Sequence, residues 1–233
     1  MTAALQAIVF DFDGVIADSE PLHLRAFQRT LDPEGLPLDA GEYYARYLGY
    51  DDVGLFQALA RDRNLEMSDA RVRTLVARKA AVLQEMLHAD VLFPGAAAFI
   101  RAAAETVPLA IASGALRQEI VAMLDAAGVA RLFPVIVAAG DTPESKPSPA
   151  PYVLAVERLR QHTGRDLDTR RSVAIEDSRW GLESARGAGL RLVGVTTSYP
   201  AEELPGAELV VGGLQDLTMP ALDRLVAGSR DAS

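Results

Sequence analysis

Short apolar runs alternate with amphipathic helical stripes over most of the chain, and this alternation predicts an α/β fold. One apolar run ends at Phe10, and five further short runs follow it later in the chain. These five runs are Leu109–Ala112, Val135–Val137, Val173–Ile175, Leu192–Val195 and Leu209–Val211. The stretches between them carry apolar residues three and four positions apart, the spacing of one helical face. Strands that alternate with helices indicate βαβ units and a parallel sheet.

The segment between the first and second predicted strands breaks this alternation. From about residue 17 to residue 90 the periodic stretches are all helical, as with Val72, Leu75 and Val76 after Ser68. We therefore predict a Rossmann-like three-layer core with a parallel sheet, formed by residues 1–16 and 91–233. Residues 17–90 are predicted to form an inserted α-helical cap domain.

Composition excludes several classes of protein and site. The chain has 233 residues, enough to bury a substantial core, and its net charge of -9 disfavours binding to nucleic-acid phosphates. It contains no cysteine, which excludes thiolate metal sites and cysteine nucleophiles. Neither a signal core nor an 18-residue apolar stretch is found, so we expect a cytoplasmic protein without a membrane partner. A monomer is the expected state.

Polar residues that could take part in catalysis or ligand binding follow the ends of four predicted strands. They are Asp11, Asp13, Ser113, Lys146, Glu176 and Asp177. The first two stand two positions apart, so both side chains can face the same way from the strand. The carboxyl ends of parallel strands share one edge of the sheet, where open α/β sheets bind their ligands. The pattern therefore predicts one polar site at that edge.

Each of these positions also has a purely structural explanation. Ser113 could cap the next helix, Lys146 could be a solvated loop lysine, and Glu176 with Asp177 could cap a helix N-terminus. Together, however, they place four carboxylates, a hydroxyl and an ammonium at one edge. Clustered carboxylates repel one another, and proteins relieve this by raising a pKa or by binding a cation. A set of oxygen ligands suits Mg²⁺.

The motifs resemble those of a known family. Asp11-Phe12-Asp13-Gly14-Val15, Ser113, Lys146-Pro147 and Glu176-Asp177 are similar, in this order, to the four motifs of the haloacid dehalogenase-like superfamily. The helical insertion after the first motif resembles the small cap of one branch. That branch contains phosphoglycolate phosphatases, sugar-phosphate phosphatases and β-phosphoglucomutases.

The resemblance implies a role for each residue. It makes Asp11, Asp13, Ser113 and Lys146 catalytic, and Asp11, Asp13, Glu176 and Asp177 ligands of Mg²⁺. Asp11 would attack phosphorus and form an aspartyl-phosphate. Asp13 would act as general acid and base, and its backbone carbonyl would also bind the metal. Ser113 would hydrogen-bond a phosphoryl oxygen, and Lys146 would neutralise Asp11 and the transferring group. The implied function is Mg²⁺-dependent hydrolysis of a small phosphate monoester, expected to be a sugar or polyol phosphate.

Two alternatives remain open at this point. A β-phosphoglucomutase-like enzyme would grip a second phosphate with a Ser and a Lys after the Ser113 position. Here that stretch reads Gly114-Ala115-Leu116-Arg117, so only Arg117 could replace the Lys in part. His23 matches a mutase-like histidine, although it could equally be a solvated helix residue. The second alternative, a non-catalytic binding protein on this fold, would require one of the six chemical positions to be missing. The predicted substrate-binding residues are Glu20, His23, Gly49, Gly114 and Arg117.

Overall fold

A computed structural model of the chain describes residues 5–47, 50–86 and 91–228. Its six strands form one parallel sheet in the order β3-β2-β1-β4-β5-β6. The strands are β1 (Ala7–Phe10), β2 (Leu109–Ala112), β3 (Val135–Val137), β4 (Ser172–Glu176), β5 (Arg191–Val195) and β6 (Leu209–Val211). The predicted α/β fold with a parallel sheet is confirmed.

Helices surround the sheet and make up most of the segment between β1 and β2. They are α1 (Glu20–Leu31), α2 (Ala40–Glu42), α3 (Asp52–Asp62), α4 (Asp69–Met86), α5 (Ala96–Ala104), α6 (Arg117–Ala126), α7 (Ala150–Thr163), α8 (Arg179–Gly187) and α9 (Met219–Ala227). A π-helical turn, Tyr43–Tyr47, continues α2. Among the described residues, none of these helices is both long and apolar enough to cross a membrane.

The central strand β1 is buried on both faces, which explains its uninterrupted apolar sequence. Ala7 and Val9 share a core cluster with residues of α7 and α8. Phe10 points the opposite way, where its ring meets Phe99 of α5 and Phe133 edge-on, at centroid distances of 6.2 and 5.8 Å. The alternation of side chains along the strand thus places helices on both faces and produces three layers.

The chain divides into two compact units. The first combines Met1–Asp18 with His88–Ser233, and the second is Ser19–Leu87. Within the first unit, Ala17 forms an antiparallel bridge with Leu92, so the two chain segments that lead into and out of the second unit run side by side. The predicted boundaries, 1–16 with 91–233 and 17–90, and the role of the second unit as a cap, stay predictions.

The second unit has its own apolar core and, in its described residues, contains helices without a strand. Phe27 of α1 packs edge-on against Phe56 of α3 at a centroid distance of 5.4 Å. Tyr43 and Tyr47 are buried in this core, as expected for an aromatic stripe, whereas Tyr44 is exposed. Because the Tyr43 and Tyr47 hydroxyls donate to Glu20 and Asp62, both rings are buried without losing a hydrogen bond.

Candidate active site

The first unit brings the carboxyl ends of its central strands together. Asp11 directly follows β1, Ser113 follows β2, and Glu176 ends β4. Phe10 of β1 is in register with Ile111 and with Ile175, so the polar residues after the three strands lie at one edge. One carboxylate oxygen from each of Asp11, Glu176 and Asp177 lies within 4.8 Å of the other two. These three carboxylates lie at the sheet edge where the strand pattern predicts a polar site, and their roles in catalysis and metal binding stay predictions.

Lys146 connects two of these carboxylates. Its Nζ lies 2.8 Å from Asp11 Oδ1 and 2.6 Å from Glu176 Oε1. The side chain is only 16% exposed, which contradicts the alternative of a solvated loop lysine. Burial by itself lowers the pKa of Lys146, but the Asp11 and Glu176 carboxylates outweigh it and hold the pKa above its ordinary value. The ammonium therefore stays charged at neutral pH.

Glu176 is held by donors on both of its carboxylate oxygens. Oε1 accepts from Lys146 Nζ and from Tyr152 Oη at 2.7 Å. Oε2 accepts from the Asp177 amide and from Ser178 Oγ, each at 3.2 Å. A Cβ at position 181 would overlap this carboxylate, which explains the glycine there. Glu176 is thus a fixed, fully buried charge.

The start of helix α8 shows that the capping alternative for the two acidic residues is wrong. The residue before the helix is Ser178, whose Oγ accepts a hydrogen bond of 3.1 Å from the Gly181 amide. Ser178 therefore provides the cap, and the Glu176 and Asp177 side chains are available for the site.

The carboxylate cluster is electrostatically crowded. Burial raises the pKa of Asp11 well above its ordinary value; Lys146 opposes this rise, and Glu176 and Asp177 add to it. Burial likewise raises the pKa of Asp177 to about 6, partly offset by a hydrogen bond from Ser198 and reinforced by Glu176. In the described part of the chain, no donor reaches buried Asp11 Oδ1 with hydrogen-bond geometry, although Lys146 is close. A cation fits this all-oxygen donor set, because it would satisfy that oxygen and lower the repulsion.

Ser113 lies beside a cavity of about 310 Å³ in the first unit. The cavity is lined by Ser113, Gly114, Ala138, Ala139, Gly140, Thr142, Ser145, Lys146 and Pro151. Ser113 Oγ accepts from the Ala115 amide at 3.1 Å, whereas helix α6 begins only at Arg117. The alternative that Ser113 caps this helix is therefore wrong. Small residues leave room next to the Ser113 hydroxyl and the Lys146 ammonium.

Arg117 forms an ion pair with Asp141. Its Nη2 lies 2.6 Å from Asp141 Oδ2 and donates a hydrogen bond of 2.6 Å to the Ile136 carbonyl. Asp141 also accepts from Arg158 at 3.0 Å. The guanidinium that could have replaced a mutase lysine is thus engaged with a carboxylate.

The turn that carries Asp13 is fixed by residues after β5. Gly14 adopts a left-handed φ of +76° there, and Asp13, which is half-buried, forms a bridge with Ala17. Thr197 Oγ1 donates to the Gly14 carbonyl, and Ser198 Oγ donates to Asp177 Oδ2. The sequence interpretation missed Thr197 and Ser198, although polar residues after a strand end are the signal that found the others.

Of the predicted substrate residues that the structure describes, Glu20 and His23 lie in the second unit. Glu20 Oε2 accepts a hydrogen bond of 2.7 Å from the Tyr43 hydroxyl. His23 Nδ1 lies 2.7 Å from the Nζ of Lys79, a fully buried side chain that also pairs with Asp52 at 2.9 Å. Burial and the Lys79 charge lower the pKa of His23 to about 3. The alternative of a solvated His23 is therefore wrong, and its role toward a substrate stays a prediction. Gly49, also predicted to bind substrate, lies outside the described residues.

Tyr152 and Trp180 are aromatic residues that lie near the end of β4. Tyr152 was missed because its place in an apolar helical stripe is typical of a core residue. The Trp180 ring contacts the Tyr199 ring at a centroid distance of 6.3 Å, and Trp180 is 42% exposed. The sequence alone does not show whether an aromatic residue makes its main contact through its ring, as Trp180 does, or through its polar group, as Tyr152 does with Glu176.

Comparisons with known proteins agree with this geometry. The family model of haloacid dehalogenase-like hydrolases matches residues 5–189. The chain belongs to the haloacid dehalogenase-like hydrolases. The chain is similar to the protein CbbY of Rhodobacter capsulatus, with 33% identity over 203 residues, which cover 84% of this chain and 87% of the relative.

Two further comparisons concern phosphorylated sugars. A phosphorylated carbohydrates phosphatase of Thermotoga maritima is 29% identical over 199 residues, covering 83% of this chain and 87% of the relative. A CbbY variant from Rhodobacter sphaeroides, in complex with xylulose-(1,5)bisphosphate, is 29% identical, with a TM-score of 0.76 and coverage of 91% and 96%. The prediction of an enzyme of this family, a phosphohydrolase, is confirmed.

Proposed function

We propose that the protein is a Mg²⁺-dependent phosphatase that hydrolyses a small sugar or polyol phosphate through an aspartyl-phosphate on Asp11. One observation carries this proposal: the buried Asp11 carboxylate lies 2.8 Å from the Lys146 ammonium and close to two further carboxylates. A nucleophile for an anionic phosphoryl group needs a nearby cation to offset charge repulsion, and this site supplies one.

Two displacements account for the reaction. In the first, an Asp11 carboxylate oxygen forms a bond to phosphorus while the bond from phosphorus to the substrate's ester oxygen breaks. Asp13 donates its proton to that leaving oxygen, which departs as an alcohol. In the second, water attacks phosphorus, Asp13 takes a proton from it, and the bond to Asp11 breaks. Inorganic phosphate leaves, and both aspartates return to their initial states.

The remaining groups stabilise the phosphoryl group. Lys146 stays protonated and offsets charge on Asp11 and on the phosphoryl oxygens, and the Ser113 hydroxyl donates to one of these oxygens. Tyr152 keeps Glu176 oriented, and Glu176 in turn orients Lys146. A bound Mg²⁺ supplies charge stabilisation for the phosphoryl oxygens. Asp11, Asp13, Glu176 and Asp177 are the residues that would hold it.

The relatives support a phosphorylated sugar as substrate, since two of them act on or bind phosphorylated sugars by name. The engagement of Arg117 with Asp141 supports hydrolysis over a mutase reaction, because a mutase must hold a phosphate at each end of its intermediate. We therefore infer a substrate with one phosphate and a hydroxyl-rich remainder.

The deciding experiment measures phosphate release from a panel of substrates with and without Mg²⁺. The panel contains sugar monophosphates, polyol phosphates, phosphoglycolate and xylulose 1,5-bisphosphate. Asp11→Asn removes the nucleophile while keeping its size, and Asp168→Asn is the matched control, because that carboxylate lies at the opposite end of β4. We expect Mg²⁺-dependent release that is lost in Asp11→Asn and kept in Asp168→Asn.

Three other outcomes contradict parts of the proposal. Full activity in Asp11→Asn excludes the aspartyl-phosphate. Preference for the bisphosphate contradicts the substrate class. Conversion of β-glucose 1-phosphate to glucose 6-phosphate without net phosphate release establishes a mutase instead.

A further inference from the structure

The loop after β5 contributes two hydroxyls to the edge where the carboxylates lie. β5 pairs with β4 in a register that places Gly194 opposite Glu176. The residues that follow β5 therefore reach the same sheet edge as Asp177. The Thr196 amide donates to the Val211 carbonyl of β6 at 3.0 Å, which anchors the start of this loop to the sheet.

Each hydroxyl has a specific partner on a different strand end. Thr197 Oγ1 donates to the backbone carbonyl of Gly14, one residue after Asp13. Ser198 Oγ donates to Oδ2 of Asp177. One loop therefore contacts the turn after β1 and the carboxylate after β4.

Gly14 shows how closely these groups approach one another. A Cβ at this position would overlap the Asp177 carboxylate and would lie 2.8 Å from Ser198 Oγ. The turn, the carboxylate and the serine hydroxyl thus meet at one point. A glycine is required there both for this approach and for its left-handed φ of +76°.

We propose that Thr197 and Ser198 are positioning residues that fix the Asp13–Gly14 turn and the Asp177 carboxylate relative to each other for cation binding. This inference rests on the proposed Mg²⁺ dependence. A carboxylate held through Oδ2 presents Oδ1 in a fixed direction, so less conformational freedom is lost when a cation binds. Hydrogen-bonding partners of ligating carboxylates change metal affinity by about 10–100-fold when they are removed.

Titration calorimetry with Mg²⁺ on the 233-residue chain tests this inference without relying on turnover. We expect Ser198→Ala to raise the Kd for Mg²⁺ by about 10-fold or more. Ser198→Thr keeps a hydroxyl and is expected to restore the affinity, which a merely structural loss would not predict. Thr197→Val is expected to weaken binding as well. The effects of the two substitutions on the Kd should be non-additive, because both residues position the place where the Asp13–Gly14 turn meets the Asp177 carboxylate.

Ser172→Ala is the matched control. Ser172 lies at the other end of β4, is buried, and donates to the Asp168 carbonyl at 3.0 Å. Its loss should reduce stability and leave the Mg²⁺ affinity unchanged. Wild-type affinity in Ser198→Ala would overturn the inference and leave the proposed metal dependence standing. Absence of Mg²⁺ binding in the wild type would overturn both.

Discussion

Replacing Asp177 by asparagine should make the metal-free protein more stable. Burial raises the pKa of Asp177 to about 6, against an ordinary 3.8, with Glu176 adding to the rise. Between these two values the folded protein holds more protons than the unfolded chain does. The contribution of this group to stability is therefore complete below pH 3.8 and is lost as the pH rises through about 6.

The size of the effect follows from the same pKa. Keeping Asp177 charged at pH 7 costs the folded, metal-free protein about 3 kcal/mol. Asparagine removes the charge, has nearly the same volume and keeps an oxygen that can accept from Ser198. For a chain of this size, about 3 kcal/mol corresponds to a rise in Tm of about 6–12 °C.

Thermal unfolding in EDTA and in excess Mg²⁺ measures this effect. We expect Asp177→Asn to melt above the wild type in EDTA and to gain little from Mg²⁺, whereas the wild type gains stability by binding the ion. Asp168→Asn is the control: hydrogen bonds from Arg170 hold the pKa of Asp168 below its usual value, so this change should lower stability. An Asp177→Asn protein that melts at or below the wild-type temperature in EDTA would refute the reasoning.

Three further predictions concern residues that support the two units. Burial and the Lys79 charge lower the pKa of His23 to about 3, so the stabilising contribution of neutral His23 is present above pH 6.5 and is lost as the pH falls. At pH 5 this loss of stability is about 2 kcal/mol. Urea unfolding should show the loss in the wild type and not in His23→Asn. An equal pH dependence of stability in the two proteins would contradict this prediction. Gly181→Ala places a methyl group on the Glu176 carboxylate, so we expect loss of phosphatase activity and a clearly lower Tm, and a fully active variant would contradict the packing. Tyr152→Phe removes one donor to Glu176 and should cost about 1.5–3 kcal/mol in denaturant unfolding, an expectation that an unchanged midpoint would refute.

Much of the fold and site could be predicted because strand ends carry a strong local signal. A buried parallel strand has an apolar sequence, so the first charged residue after it marks the sheet edge, as with Asp11 after Phe10. Polar residues near the ends of the later strands were found in the same way: Ser113 directly after β2, Lys146 in the loop after β3, and Glu176 as the last residue of β4. Spacing alone could not supply the distances between them, which depend on strand order and register.

The sequence could not predict contacts between residues that lie far apart along the chain and belong to common residue types. Tyr152 donates to Glu176 from a helix whose pattern is that of a core helix. Lys79 of α4, which the sequence did not single out, is fully buried and pairs with His23 and Asp52. Periodicity identifies which face of a helix is buried, but it does not identify a charged residue that is buried with its partners.

The bridge between Ala17 and Leu92 has a consequence for how this protein can diversify. This bridge pairs the residues just before and just after a segment of some seventy residues. The chain therefore leaves the first unit and re-enters it at nearly the same place. The groups to which we assign bond-making and cation binding all belong to the unit outside that segment. If Ser19–Leu87 is the predicted cap, its mutation, lengthening or exchange changes which molecule is selected and leaves the assigned catalytic and cation-binding residues unchanged. In protein design, a different insert is best joined to the first unit at the paired residues Ala17 and Leu92.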